Sequence, residues 1–283
     1  MPNLFVLGNG FDLNHGLPTR YDPHLKTLAI AAERYVGEWE NYSIEGDLWS
    51  SVEEGLAHPD VDSVIEYLAQ FAPDYTSDRE SDRDGVVVEA EQLLHFPLDD
   101  FARRADARLD EAAPLPKFTR LFQPGDFFLT FNYTHTLERL YDVEPSQILH
   151  VHGEVGRSPL ILGYAPKSLR GAETLHAWDN EETFDFYFSS AHGIVEDRLR
   201  TFEKVYQTAA VDDFVSRMPE PPNHIVAYGH SFGSVDRPYF ALLRQQFDEA
   251  RWTISAYSTL ALQEACTAFD DYDLAVQYDG MVH

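Results

Sequence analysis

The feature that most constrains the fold is a series of short apolar runs, each ending at a polar turn. The four clearest runs are Leu4–Leu7, Asp126–Phe131, Gln147–Val151 and His224–Tyr228. Runs of this length bounded by turn residues are typical of strands that are buried on both faces. Helical patterns separate them, and this alternation predicts an α/β fold: a Rossmann-like, mostly parallel sheet with helices on both faces.

The rest of the chain extends this alternation and interrupts it once. Further strands are predicted at Pro159–Leu162, Trp252–Tyr257 and Leu274–Tyr278, and helices at Tyr21–Ala32, Thr134–Tyr141, 193–207, Asp236–Phe247 and Thr259–Phe269. Residues 58–112 show helical spacing around a charged run, Ser77–Asp84, which we interpret as a solvated loop. The sequence therefore predicts one α/β domain over residues 1–283, with residues 35–120 as a helical insertion or lobe. By its position the lobe is a candidate for a lid or an assembly surface, which leaves a homo-oligomer open.

Composition and charge exclude several classes of protein. The 283 residues include one cysteine, Cys266, so neither a disulfide framework nor a cysteine-based zinc site can form within the chain. No apolar stretch approaches the roughly 18 residues of a membrane span, and the start lacks the basic region of a signal peptide, so we expect a cytoplasmic protein. The net charge of -27 would repel a duplex phosphate backbone, which argues against a nucleic-acid partner.

Polar loops follow the four strands, and the carboxyl ends of parallel strands form the usual ligand-binding edge of such a sheet. After the first strand comes Gly8-Asn9-Gly10-Phe11-Asp12, and then Pro18 and Thr19. Glycines beside a strand end allow close approach of a phosphate, and the following helix start favours an anion. A tight turn without a ligand would explain the same two glycines.

Two loops offer groups for catalysis. Asn132 follows the second strand, where its amide could orient a sugar hydroxyl or a water, or cap a helix. After the third strand comes His150-Val151-His152-Gly153, and in a strand both histidines would share one face. Zinc prefers a third protein ligand, and no spacing supplies one, so we expect no metal. An acid or base role for His152 fits better, because imidazole titrates near neutrality.

The fourth loop, Gly229-His230-Ser231-Phe232-Gly233, matches the nucleophile elbow of serine hydrolases. Such an enzyme needs a later histidine, and the one that follows Ser231 is His283, the last residue. A terminal residue is poorly suited to hold a base in place. The loop is therefore interpreted as a strand-to-helix turn in which Ser231 and the backbone contact a ligand.

The same loops carry a family resemblance. The matching segments are Gly8–Leu13, His15–Thr19, Phe131–Thr134, Thr136–Glu138, His152–Gly153, Leu160–Tyr164, Gly229–Ser231, Asp236 and Pro238–Phe240. In this order they resemble the AbiH family of bacterial phage abortive-infection proteins. That family in turn resembles sirtuin-like NAD-binding proteins, whose defence branch cleaves NAD and starves the infected cell.

The resemblance implies roles for individual residues. Asn132 matches the catalytic asparagine and His152 the catalytic histidine. The residues expected to hold the dinucleotide are Gly8, Asn9, Gly10, Phe11, Asp12, Pro18, Thr19, Gly153, Gly229, His230, Ser231 and Asp236. The ligand implied is NAD, as substrate or bound nucleotide, and no metal. Asn9 and Asp12 depart from the small residues usual in sirtuin-like loops, and the cysteine zinc module is absent, which argues against protein deacetylation.

Two other functions remain open from the sequence. The protein could be a nucleotide-binding sensor that acts through a partner without cleaving its ligand. It could also be a metal-dependent hydrolase or nuclease built on Asp12, His150, His152 and Asp236, although the acidic surface disfavours a polynucleotide substrate.

Overall fold

The computed structural model describes residues 2–31, 48–60, 63–64, 67–68, 70, 85–92, 96–166, 186–256, 263, 265–267 and 275–278. Strands within these ranges are β1 (Leu4–Leu7), β2 (Phe127–Thr130), β3 (Ile148–His150), β4 (His224–Tyr228), β5 (Arg251–Ala256) and β6 (Ala275–Tyr278). They form one sheet in the order β3-β2-β1-β4-β5-β6, and every neighbouring pair is parallel. This is the strand order of the Rossmann fold, so the predicted fold class is confirmed.

Helices lie between the strands in the described residues. They are α1 (Asn9–Asn14), α2 (Lys26–Ala31), α3 (Val52–Gly55), α4 (Gly85–Gln92), α5 (Leu98–Ala107), α6 (Pro116–Leu121), α7 (Thr136–Tyr141), α8 (Phe186–Arg200), α9 (Thr208–Ser216) and α10 (Arg237–Gln246). Both α6 and α10 carry a proline in the first turn, where the missing backbone N–H costs no hydrogen bond.

The central strands are buried on both faces. All four residues of β1 are buried, and alternate side chains enter different cores. Leu4 and Val6 join the core that includes Phe214 of α9 and Phe240 of α10. Phe5 and Leu7 join the opposite core, which is built by the residues Phe11, Phe118, Phe128, Leu137 and Tyr228 with others. Continuous burial explains why these strands appear in the sequence as unbroken apolar runs.

The chain divides into two compact units. Unit 1 contains the sheet and comprises residues 1–20, 98–161 and 206–283, and unit 2 comprises residues 21–97 and 162–205. The helical lobe predicted over residues 35–120 overlaps unit 2 up to residue 97, whereas residues 98–120 lie in unit 1. Unit 2 also takes in residues 162–205, which include α8.

Unit 2 contains a buried ion pair. The Lys204 ammonium is fully buried and lies 2.8 Å from Oε1 of Glu53. Tyr164, which is 1% exposed, exchanges backbone hydrogen bonds with Phe202 and Lys204, and its hydroxyl donates to the carbonyl of Leu199.

Some predicted elements differ from those observed. Residues Pro159–Leu162 form a loop and not the predicted strand. The Ile161 N–H donates to the carbonyl of His152, but this hydrogen bond is not part of a strand ladder. The helix predicted over 193–207 is α8, which begins earlier, and α9 was not predicted. The charged run Ser77–Asp84, His283 and most of the helix predicted at Thr259–Phe269 lie outside the described residues.

Among the helices that the structure describes, none combines the length and the apolar composition needed to cross a bilayer.

Candidate active site

The strand register brings the four predicted loops to one edge of the sheet. Leu7 pairs with Thr130 of β2 and with Tyr228 of β4, and Thr130 pairs with His150 of β3. The residues that follow these four strand ends therefore begin from one row. The strand order reverses between β1 and β4, so this row includes the crevice at which open α/β sheets bind their ligands.

The loops after β1 and β4 interlock at this crevice. A Cβ atom on Gly8 would lie 2.6 Å from the carbonyl oxygen of Gly229, and one on Gly10 would lie 2.6 Å from its Cα atom. The Gly10 N–H donates to the Gly229 carbonyl at 2.8 Å. The close contact between the two loops explains why all three positions are glycine, so a bound phosphate is not needed to explain them. Their predicted contact with a dinucleotide stays a prediction.

Beside this crevice, the segment Pro18-Thr19 is tied to the first loop. The amide of Asn9 donates to the Thr19 carbonyl at 2.9 Å. Thr19 is 9% exposed, and its buried hydroxyl has no hydrogen-bond partner among the described residues. A buried hydroxyl without a partner loses the free energy of its hydration, and a water or a ligand that hydrogen-bonds it would restore that free energy.

Replacing Thr19 with valine is therefore expected to raise the free energy of unfolding by about 1 kcal/mol, because it removes an uncompensated polar atom. The matched control is Thr134→Val, which removes a hydroxyl that donates to Asp12 and should lower stability by about 2 kcal/mol. Urea denaturation of both variants measures the difference. Equal losses in the two variants would show that Thr19 has a partner in the folded chain.

Asp12 is a fully buried carboxylate that organises the loop after β2. Its two oxygens accept hydrogen bonds from the hydroxyls of Thr134 and Thr136. Burial raises the pKa of Asp12 from 3.8 to about 6, although both hydroxyls and the charge of His150 act to lower it. As placed, Asp12 connects α1 to the segment that begins α7, and its predicted contact with a ribose stays a prediction.

This buried carboxylate should make stability depend on pH. Because the pKa of Asp12 is higher in the folded chain, its contribution to stability is complete below about pH 4 and is lost as the pH rises through about 6. Between about pH 5 and pH 7.5 the loss should be about 1.4 kcal/mol. Denaturation of the wild type and Asp12→Asn at both pH values measures it, since other groups cancel in the comparison. The same pH dependence in both proteins would contradict the assignment.

His150 and His152 lie on opposite sides of the sheet, so the prediction that they share a face is wrong. The strand ends at His150, and residues 151–152 form a turn, so the alternation of a strand no longer applies. Nδ1 of His150 donates to the carbonyl of Asn132 at 2.9 Å, and Nε2 lies 3.2 Å from Glu138 of α7. His152 instead contacts Tyr239 of α10.

A cluster of charged side chains surrounds His150. His135, Glu138 and Glu154 place ligand atoms within 4.8 Å of one another, and Glu138 and Glu154 line a cavity of about 230 Å³. This group was not predicted, because His135 precedes α7, Glu138 lies in α7, and Glu154 lies in the loop after β3. Arg157 lies 2.6 Å from Glu154, and Nε2 of His150 lies 3.2 Å from Glu138, so protein side chains already contact both carboxylates and we assign no metal.

His135 is held between two carboxylates in this cluster. Nδ1 lies 3.0 Å from Asp106, and Nε2 lies 3.1 Å from Glu154. The hydrogen bond to Asp106 raises the pKa of His135, although partial burial opposes the shift. Burial acts to raise the pKa of Asp106, but the hydrogen bonds and charge of His135, together with the charge of Arg139, lower it, and the net shift is downward.

On the other side of the sheet, one buried carboxylate joins two histidines. Oδ1 of Asp236 lies 3.1 Å from Nε2 of His152, and Oδ2 lies 3.3 Å from Nε2 of His230. His152 and His230 are each 5% exposed, and Asp236 is 9% exposed. The sequence predicted all three as site residues but did not predict that they bind one another.

Aromatic rings enclose this triad. The Phe131 ring lies edge-on to both imidazoles, with centroids 5.0 Å from His152 and 4.4 Å from His230. Phe240 lies 4.8 Å from His230, and Tyr239 lies 6.2 Å from His152. An apolar enclosure lowers the local dielectric constant, so the hydrogen bonds of the carboxylate are stronger than they would be in water.

Asn132 and Gly153 hold the neighbouring loops in place. The amide of Asn132, a residue that is 7% exposed, donates to the Gly8 carbonyl at 3.2 Å and so connects the loops after β1 and β2. Gly153 has φ +89°, and a Cβ there would lie 2.1 Å from the carbonyl oxygen of Pro159. Ser231 is exposed, whereas its neighbours His230 and Phe232 are buried.

A comparison with protein families identifies the lineage. The model of the family described as "Bacteriophage abortive infection AbiH" matches residues 4–256. The chain belongs to the AbiH family. The match spans all of the loops described above, and AbiH membership gives the chain a role in abortive infection by bacteriophage.

No curated protein and no solved structure matched this AbiH chain. The resemblance of AbiH to sirtuin-like proteins therefore stays a prediction.

Proposed function

We propose that this AbiH protein binds a dinucleotide at the carboxyl edge of the sheet and cleaves NAD at the bond between nicotinamide and ribose. The observation that carries the proposal is the hydrogen bond between buried His152 and Asp236 beside the crevice between β1 and β4. A histidine oriented by a buried carboxylate is suited to accept a proton from water.

In the proposed reaction, water attacks C1′ of the ribose as the bond to nicotinamide breaks. The leaving nicotinamide takes the bonding electron pair, and His152 accepts the proton released by the water. The products are nicotinamide and ADP-ribose, and the proton then passes from His152 to solvent. Asn132 would orient the ribose or the water by hydrogen bonds, contributing about 3 kcal/mol if they form in the transition state.

Two further contacts support a ligand beside these residues. The buried Thr19 hydroxyl, which has no partner in the described residues, would hydrogen-bond the dinucleotide. The loops after β1 and β4 meet at this crevice, so a ligand there could contact both. Gly8, Gly10 and Gly229 would then shape the two loops, while side chains such as Asn9 and Ser231, both exposed, meet the ligand.

The test is to incubate the protein with NAD and to follow free nicotinamide by chromatography. Release should disappear in His152→Ala and in Asn132→Ala. The control is His224→Ala, since His224 begins β4 at the other edge of the same sheet and bonds Thr253. Release by His152→Ala at the wild-type rate would refute the proposal. Binding of NAD without release by the wild type would indicate the sensor function.

A further inference from the structure

We propose that His150 is a positioning residue of the proposed reaction, which holds the backbone carbonyl of Asn132 only while it shares a proton with Glu138. This inference rests on the proposed function, because it explains how Asn132 is placed to orient the ribose or the water. The sequence suggested His150 only as a candidate metal ligand.

Within the described residues, the protein holds each polar group of Asn132 except the side-chain oxygen. Its N–H donates to the hydroxyl of Thr130 at 3.1 Å, and its side-chain nitrogen donates to the carbonyl of Gly8 at 3.2 Å. Its own carbonyl accepts a hydrogen bond from Nδ1 of His150 at 2.9 Å. These contacts leave Oδ1 as the atom that can meet a ribose hydroxyl or a water.

The two nitrogens of the His150 ring face groups that accept hydrogen bonds. Nδ1 faces the carbonyl of Asn132, and Nε2 lies 3.2 Å from Oε1 of Glu138. A neutral imidazole carries one N–H, so it can donate to one of these oxygens and would turn a lone pair toward the other. Both contacts hold together only if a further proton lies between His150 and Glu138, on either partner.

Loss of this shared proton releases Asn132. The neutral ring then has one N–H for two acceptors, a charged carboxylate and a neutral carbonyl. Because a hydrogen bond to a charged acceptor is stronger, the N–H lies on Nε2 and bonds Glu138. Nδ1 turns a lone pair toward the carbonyl of Asn132, and the loop after β2 loses this contact.

Other charged groups face the pair from the neighbouring elements. The ring of His135, which precedes α7, lies 6.4 Å from that of His150, and Glu154 and Arg157 line the same cavity. From α1, Asp12 is close enough for the charge of His150 to lower the pKa of Asp12. Glu154 contacts His135 and Arg157, so it offers a carboxylate of the same cavity that does not hold the His150 ring.

Replacing Glu138 with glutamine separates positioning from a structural role. The glutamine amide can donate to Nε2, so a neutral His150 would keep its own N–H on Asn132 after the pH is raised. The matched control is Glu154→Gln, which removes a carboxylate that does not contact His150 and should leave the response to pH as in the wild type.

Two substitutions of His150 test the same contact without a titrating ring. Asparagine places its amide near the position of Nδ1 and can donate to Asn132, whereas glutamine places its amide near Nε2 and reaches Glu138 instead. Nicotinamide release should stay within a few fold of the wild type in His150→Asn and fall by about 10-fold in His150→Gln. Equal rates in the two variants would contradict the role.

The first readout is the carbonyl ¹³C shift of Asn132, which reports the hydrogen bond on that oxygen. Labelling asparagine carbonyls with ¹³C and tyrosine with ¹⁵N selects the Asn-Tyr pairs at 41–42 and 132–133, and Asn132→Ala identifies the second by its absence. Between about pH 5 and about pH 9 the signal should move in the wild type and in Glu154→Gln, and stay in place in Glu138→Gln.

The second readout is the pH profile of nicotinamide release from NAD. The rate should first rise with pH, because a protonated His152 cannot accept another proton, and then fall by about 5- to 10-fold as Asn132 is released. Glu138→Gln should keep the rise and lose the fall, whereas Glu154→Gln should keep both.

The outcomes separate this inference from the proposed function. A wild-type Asn132 signal that does not move with pH, or one that moves equally in folded Glu138→Gln, overturns the inference. If no NAD is cleaved but the signal moves only while Glu138 is present, the proposed function fails and the control of Asn132 by His150 stands. If NAD is cleaved and Glu138→Gln keeps the fall at high pH, the inference alone fails.

Discussion

Replacing Asp236 with asparagine is expected to reduce nicotinamide release by about 10³- to 10⁴-fold while the fold is retained. Asparagine has nearly the same shape, but its amide can present an N–H to His152 in place of an acceptor. The imidazole would then be held with its lone pair on Nε2, and Nδ1 could no longer accept a proton. The positive charge that develops on His152 would also lose its buried counterion.

The matched control for this variant is Asp126→Asn. Asp126 is also buried, but it precedes β2 at the opposite edge of the sheet, where it accepts hydrogen bonds from Asn3 and Gln123. Its replacement should lower stability and leave the rate unchanged. Circular dichroism and thermal melting establish that Asp236→Asn is folded. A rate within tenfold of the wild type in that variant would show that the carboxylate does not orient His152.

Replacing Gly229 with alanine is expected to destabilise the protein by about 4 kcal/mol or more. The new Cβ would lie 2.6 Å from the backbone nitrogen of Phe11 and 2.7 Å from the carbonyl carbon of Gly10, and Gly229 also has φ +66°. All of these atoms belong to the backbone, so the clash cannot be relieved by rotating a side chain. The loops after β1 and β4 would have to separate.

Gly125→Ala separates this clash from the cost of a positive φ. Gly125 has φ +94°, but a Cβ there would meet no atom within 4 Å. We expect the control to lose about 1 kcal/mol, which is the cost of the backbone conformation alone. Urea denaturation of both variants gives the comparison. Similar losses in the two variants would show that the interlocked loops can adapt to a methyl group.

The sheet and the location of the site were predictable from the sequence for one physical reason. Strands such as Leu4–Leu7 are buried on both faces, so their apolar runs are unbroken and end where the polar loop begins. Since every strand pair is parallel, all of the loops must emerge at one edge. Asn132, His152 and His230 could therefore be grouped without knowledge of their contacts.

The pairing within the site could not be predicted in the same way. His152 meets Asp236 because α10 packs against the face of the sheet on which the turn after β3 directs this imidazole, and neither fact is local in sequence. The sequence also suggested a phosphate contact for glycines that the structure places against protein. A short motif with glycines indicates that the backbone closely approaches another group, but it does not identify whether that group is a ligand or a second protein loop.

The pairing of β1 with both β2 and β4 also determines when the site can form during translation. Leu4 pairs with Ile225, so β1, which is synthesised first, cannot pair with β4 until most of the chain has been synthesised. Asp236 follows β4, and His152 therefore lacks its carboxylate until that late segment has left the ribosome. Nascent chains and truncated products would carry no assembled His152–Asp236 pair. For a protein of abortive infection, the order of the strands thereby ties the proposed activity to synthesis of the chain through β4 and Asp236.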